Sequence, residues 1–295
     1  MRSTEGERPS AGPVEVSPRL LRDWPLPEAG STKYLRGRVL VVGGAAGTPG
    51  AVQLAGLAAL RVGAGQLGLA VAAPVAVALA VATPEAGVYG LAADASGSVL
   101  VDGLDALADR LAEADAVVVG PGLDSPERTA EVVGRLLPLL GERTSLVVDA
   151  FALGALRGVP LPEGLASRTV LTPNDEEAEL LLGRPLGSDV RGGVEELASR
   201  FGAVVACHDL VVAPGGNCWR LGVGHSGLAT SGSGDVLAGA LGGLLARGAE
   251  PAQAACWAKY LHAAAGERLA ARIGRLGFLA REILDELPSV LSELA

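Results

Sequence analysis

A chain of 295 residues with a formal net charge of −9, 49% apolar residues and only 3% aromatic ones can form one large α/β domain or two small ones. The acidity excludes a general nucleic-acid binder, which needs concentrated Lys and Arg, yet a local helix terminus can still hold an anionic substrate. Ala, Val and Leu supply most of the apolar content, which suits parallel strands buried on both faces. Cys207, Cys218 and Cys256 show neither metal-ligand spacing nor even pairing, and they read as reduced thiols of a cytoplasmic protein.

Residues 1 to 30 are expected to form a partly flexible arm, loose to about Ser17, with residues 31 to 295 as a single catalytic domain. Leu20, Leu21, Trp24 and Leu26 are predicted to strap the arm onto the domain or onto a neighbouring subunit. The first 15 residues are charged and contain no apolar segment, so no signal peptide is expected. A strand, Arg38 to Val42, runs into a glycine turn and then a helix, Ala51 to Val62. Such a turn either sets backbone beside a ligand at the strand's carboxyl end or merely permits close packing. No charge occurs between Arg61 and Glu85, but Gly63, Gly65, Gly68 and Pro74 divide that stretch into a helix end, a strand and another short helix. A membrane span of about 20 apolar residues is therefore not expected.

A helix over 102–114 precedes a short buried strand, Ala116 to Val119, that stops at Gly120-Pro121-Gly122-Leu123. Ser125 and Pro126 start a helix that runs to Leu140. Strands at Ser145 to Val148 and Thr169 to Leu171 end at Asp149-Ala150 and at Thr172-Pro173-Asn174, and Asp175, Glu176 and Glu177 load the next helix's first turn. Val204 to Ala213 and Cys218 to Leu221 are predicted to form one hairpin around Pro214-Gly215-Gly216. Helices after the last glycine loop, over Pro251 to Ala271 and over Leu279 to Leu287 close the chain. Repeated strand–loop–helix units predict an α/β fold with a three-layer αβα core and a mostly parallel sheet. Its polar and glycine-rich strand ends would face one crevice.

The stretch Ser231-Gly232-Ser233-Gly234-Asp235 turns into a Leu- and Ala-rich helix. The first amides of a helix lack intrahelical acceptors and its dipole favours anions there, so the loop either grips phosphate or only caps a core helix. The helix terminus is expected to keep the Asp235 carboxyl low and ionised.

Taken together, several segments resemble the ADP-dependent NAD(P)H-hydrate dehydratases of the ribokinase-like superfamily. They are Pro49-Gly50-Ala51 with Ala58 to Gly65, Thr83-Pro84-Glu85, Gly120-Pro121-Gly122-Leu123, Leu171-Thr172-Pro173 with Glu177, and Ser231 to Gly239. The resemblance implies a ribokinase-like three-layer domain that uses ADP or ATP, with Mg2+, to dehydrate the S epimer of hydrated NADH or NADPH. Asp235 matches the catalytic base; Gly232, Ser233, Gly234 and His208 map to nucleotide binding; Ala51, Gly122, Asn174, His225 and Asp235 map to substrate binding. The protein supplies no metal ligands in this reading. A homo-oligomer is implied, and a separate epimerase acting on the same substrate pool.

Three positions depart from the family pattern. Asn174 stands where relatives carry His, Asp149-Ala150-Phe151 replaces Asp-Ala-Asp or Asp-Ala-Gly, and Cys207-His208-Asp209 replaces a Lys-Gly segment. His208 is then either a substitute nucleotide contact or a hairpin cap, His225 either lines the pocket or does not, and His262 is expected to be a packed structural residue. Glu177 is either catalytic or a dipole partner of its helix. An ATP-dependent kinase of a small hydroxylated metabolite, or a non-catalytic nucleotide-binding relative, would use the same loop.

Overall fold

The computed structural model describes residues 12–28, 30–224 and 226–294. In chain order the elements are β1 (Val14–Val16), α1 (Pro18–Asp23), β2 (Arg38–Val42), α2 (Pro49–Arg61), β3 (Gln66–Ala72), α3 (Ala73–Ala82) and β4 (Ala86–Leu91). A 3-10 turn leads into α4 (Ala108–Glu113), followed by β5 (Ala116–Val119), α5 (Pro126–Leu136), β6 (Ser145–Val148), α6 (Phe151–Ala155) and α7 (Glu163–Ala166). Then come β7 (Thr169–Leu171), α8 (Asp175–Leu182), α9 (Val190–Phe201), β8 (Val204–Cys207), β9 (Leu210–Val212) and β10 (Cys218–Leu221). Three long helices finish the chain: α10 (Ser233–Ala246), α11 (Pro251–Arg272) and α12 (Ala280–Leu294).

The strands join in one sheet, ordered β1-β10-β9-β8-β7-β6-β5-β2-β3-β4. Only β9 runs antiparallel to its neighbours; the other pairings are parallel. The central strands are unbroken β-branched runs because both faces are covered. Val39, Val41 and Val118 enter a core with α2, α10, α11 and α12, whereas Leu40, Val42, Val117 and Val119 enter a second with α5, α6, α8 and α9. The three-layer αβα expectation therefore holds. Parallel pairing puts the loops after β2, β5, β6 and β7 on one edge of the sheet. No helix among the described residues is long and apolar enough to cross a membrane.

Three expectations need correction. Val14–Val16 is not loose: it pairs with β10 as the edge strand, Leu21 is fully buried, and the Trp24 ring stacks on Trp219 at 5.7 Å. The Trp24 carbonyl accepts hydrogen bonds from Gln253 Nε2 at 3.2 Å and Trp257 Nε1 at 3.0 Å, so the strap closes on its own domain. Val204 to Ala213 is not one strand, because Cys207 pairs with Leu210 across a two-residue turn. His208 has a φ of 51° there, the left-handed geometry that two-residue hairpins require at this position. Finally, α12 continues through Pro288 to Leu294. Proline costs about 3 kcal/mol in a helix interior, but Leu287, Val290 and Leu294 extend a buried stripe across it.

Candidate active site

Loops from four strands converge at the carboxyl edge. The Gly44 and Ala45 amides donate to the carbonyls of Pro121 and Gly122, both at 2.8 Å. Thr48 Oγ1 donates to the Gly122 carbonyl at 2.7 Å. A Cβ on Gly122 would stand 2.5 Å from the Thr48 carbonyl and 3.1 Å from Ala51 Cβ. Ala51, in the first turn of α2, and Gly122, two of the positions that the resemblance maps to substrate binding, therefore stand side by side.

Asp149 lies at the end of β6 and is 7% exposed. Thr172 Oγ1 donates to its Oδ1 at 2.6 Å. Burial pushes the Asp149 carboxyl up to about 7, and the neighbouring Asp235 and Glu177 charges push the same way. The next residue, Ala150, holds a φ of 50°. A left-handed non-glycine residue of this kind persists only where its surroundings enforce it, and such positions cluster at functional sites.

Asp235, in the first turn of α10, is raised to about 6, and burial is the cause. This reverses the expectation that the helix terminus would keep it low: removal of solvent outweighs the dipole. Of the two carboxyls, the more buried Asp149 is raised further. Glu177 is raised as well, again mainly by burial.

Around Asp235 the loop geometry is specific. Gly232 has a φ of 86°, and a Cβ there would strike Leu54 Cδ1 at 2.7 Å. A Cβ on Gly234 would meet nothing within 4 Å, so that residue faces open space. Among the described residues no acceptor takes the Gly234 or Asp235 amide hydrogen. Ser233 behaves differently: its amide donates to the Thr230 carbonyl at 3.1 Å, and its hydroxyl lies 2.8 Å from His262 Nε2. Ser233 thus holds the loop from inside, and the free donors at the helix start belong to Gly234 and Asp235. His262, expected as a packed residue, is packed and also ties the loop down. Burial and the Lys259 charge push its imidazole down to about 4, so it is neutral near pH 7.

The remaining candidates lie at the rim. Asn174 caps α8 reciprocally with Glu177: its Oδ1 accepts from the Glu177 amide, and Glu177 Oε2 accepts from the Asn174 amide, both at 2.9 Å. Only the Asn174 side-chain NH2 remains for a ligand. His208 turns its Nε2 to Asp175 Oδ1 at 2.6 Å and lines an open cavity of about 420 Å3 with Arg191, Asp209 and Arg220. His225 falls outside the described residues. A cavity of about 450 Å3, lined in part by Lys33, Arg38, Glu85 and Arg110, opens at the amino ends of β2, β3 and β4. The raised carboxyls of Asp149 and Asp235 and the open start of α10 lie instead at the carboxyl edge.

Two residues in this region escaped the sequence candidates. Asp149 is signalled by a lone acid closing an apolar strand, and Lys259 by a lone charge between Pro251 and Gly266. Asp149→Asn is expected to stabilise the protein. A carboxyl whose folded pKa is raised penalises folding once it is ionised. The gain should thus be largest above pH 7, on the order of 2–4 kcal/mol, and should fade as pH falls toward 4. Urea denaturation at pH 8 and pH 4 checks this.

Comparison with known proteins agrees with the geometry. A family model described as NAD(P)H-hydrate dehydratase matches residues 39–289. The chain is 43% identical over 290 residues to the ADP-dependent (S)-NAD(P)H-hydrate dehydratase of Xanthomonas campestris, covering 95% of this chain and 96% of the relative. A crystal structure of ADP/ATP-dependent NAD(P)H-hydrate dehydratase from Bacillus subtilis, co-crystallised with ATP and Mg2+, is 28% identical with a TM-score of 0.82, covering 96% of this chain and 99% of that one. A ribokinase-like superfamily protein from Enterococcus faecalis is 23% identical with a TM-score of 0.84, covering 99% of each chain, and bears on the fold alone. The chain spans about half the length of bifunctional NAD(P)H-hydrate repair relatives that it also matches.

Proposed function

Because the chain belongs to the NAD(P)H-hydrate dehydratase family, we propose that it dehydrates the S epimer of hydrated NADH or NADPH at the expense of ADP or ATP. The observation that carries this reading is the open start of α10, where the free Gly234 and Asp235 amides stand beside a raised carboxyl.

In this mechanism the two amides and the helix dipole hold the donor's terminal phosphate. They need no reorganisation as charge moves onto it. Asp235 takes the proton from the substrate's ring hydroxyl as its oxygen bonds to phosphorus and the bond to the departing nucleotide breaks. A carboxylate with a pKa near 6 is a better base than an ordinary one and is still mostly ionised at pH 7. The ring nitrogen's lone pair then expels phosphate from the neighbouring carbon. Loss of a proton from the adjacent ring carbon restores the dihydropyridine. Ala51 and Gly122 bound the substrate side, where the missing side chain of Gly122 lets the loop after β5 close onto Thr48 and Ala51.

Among the described residues no three His, Cys, Asp or Glu side chains gather as a metal site, so a divalent ion would travel with the nucleotide's phosphates, whose charge it screens. Reduced, buried Cys207, Cys218 and Cys256 suit a cytoplasmic setting. The R epimer would require a separate epimerase.

The test is incubation with hydrated NADH and saturating ADP. Recovery of the reduced-nicotinamide absorbance, with AMP and phosphate formed in step, supports the reading. Recovery equal to a no-enzyme control rejects it.

A further inference from the structure

Lys259 is the lone charged residue on α11 between Pro251 and Gly266. It is only 9% exposed, and it makes no hydrogen bond or ion pair among the described residues. The side chain is largely buried, which lowers its proton affinity, yet Nζ is not among the sealed, unpaired side-chain atoms, so the ammonium keeps an opening. A cation so placed is costly without a counter-charge. An unneutralised cation in such a place calls for an anion that arrives from outside.

Its neighbours do not supply one. The charges that act on Lys259 are those of Cys207, Asp209 and Cys256. Burial pushes the Cys207 thiol up to about 11 and the Cys256 thiol up to about 12, so both are neutral near pH 7. Asp209 already pairs with Arg220 Nε at 3.1 Å.

The position of Lys259 is as informative as its isolation. Helix α11 packs against β8, β9, β10 and α10. From there Lys259 addresses the Cys207–Asp209 turn on one side. On the other, one turn along the same helix, His262 contacts Ser233 of the phosphate loop at 2.8 Å. These are the segments that the family resemblance associates with the nucleotide. His208, which stands in the Lys-Gly segment, is committed to Asp175.

We propose that the Lys259 ammonium binds a phosphate oxygen of the donor nucleotide, taking from α11 the place of the lysine missing at the β8–β9 turn. The inference rests on the proposed nucleotide-dependent reaction but names a residue that reaction does not require. One cation is thereby moved from a hairpin to a helix while the anion it meets stays the same.

Calorimetry with ADP and with adenosine, on wild type, Lys259→Met and Lys259→Arg, tests this. Loss of a charged contact should raise the ADP dissociation constant of Lys259→Met roughly tenfold to a hundredfold. Adenosine, which carries no phosphate, should bind all three proteins alike, and Lys259→Arg should keep most of the ADP affinity. Thermal melting should show Lys259→Met folded and at least as stable as wild type, because an unpaired buried charge is gone. Unchanged ADP binding by Lys259→Met, or an equal loss for adenosine, overturns the inference while leaving the dehydratase reading intact. Wild type that binds no ADP overturns both.

Discussion

Asp235→Asn should lower kcat roughly a hundred- to ten-thousand-fold while ADP binds as before. Asn keeps the shape and one acceptor oxygen but cannot take a proton. The wild-type rate should rise with pH through about 6, where the Asp235 carboxyl ionises, and the variant's residual rate should lack that step. The same substitution has a stability signature. Because the folded pKa of Asp235 is raised, its penalty is present above about pH 6 and absent below the normal carboxylate range. Asp235→Asn is thus expected to gain about 1–2 kcal/mol at pH 8, after discounting for solvent screening of a partly exposed group, and nothing at pH 4. Full turnover in the variant would remove Asp235 as the base. Lost turnover accompanied by lost ADP affinity would assign it to site shape instead.

Gly239→Ala should destabilise the fold by about 3 kcal/mol or more and take activity with it. An added Cβ would lie 1.9 Å from the Ala55 carbonyl oxygen, which is backbone and cannot rotate away. One turn along, a Cβ on Gly243 would lie 2.6 Å from the Ala59 carbonyl. Helices α2 and α10 therefore meet backbone to backbone along Gly239–Gly243 and Ala55–Ala59. That contact sets the distance between Ala51 at the start of α2 and Asp235 at the start of α10. Wedging the helices apart moves a substrate wall away from the base. Urea denaturation with parallel kinetics checks this, and a variant with wild-type stability would show that the contact is slack.

The strands that build the crevice were legible because each is a short buried run that ends in a breaker. The expected bounds at Arg38–Val42, Ala116–Val119, Ser145–Val148 and Thr169–Leu171 are those observed. Glycine hid other elements: β4 carries Gly87 and Gly90, and α9 has Gly192 and Gly193 in its first turn. The β8–β9 turn was invisible for the opposite reason. His208-Asp209 contains no glycine, so ten mostly apolar residues read as a single strand. The glycine-rich start of α10 was readable from Gly232, Gly234 and Asp235. Its anchoring was not, since Ser233 and His262 are 29 residues apart and meet only when α10 packs on α11. The sign of the Asp235 shift depends on burial, which one chain's local pattern cannot report.

The central claim is that the phosphoryl group passes to the substrate's own hydroxyl, which then departs with it. Hydrated NADH carrying 18O in the ring hydroxyl tests this directly. With ADP present, the account predicts that the label leaves in inorganic phosphate, one labelled oxygen for each NADH restored. Label released into water, with unlabelled phosphate formed alongside, would contradict it.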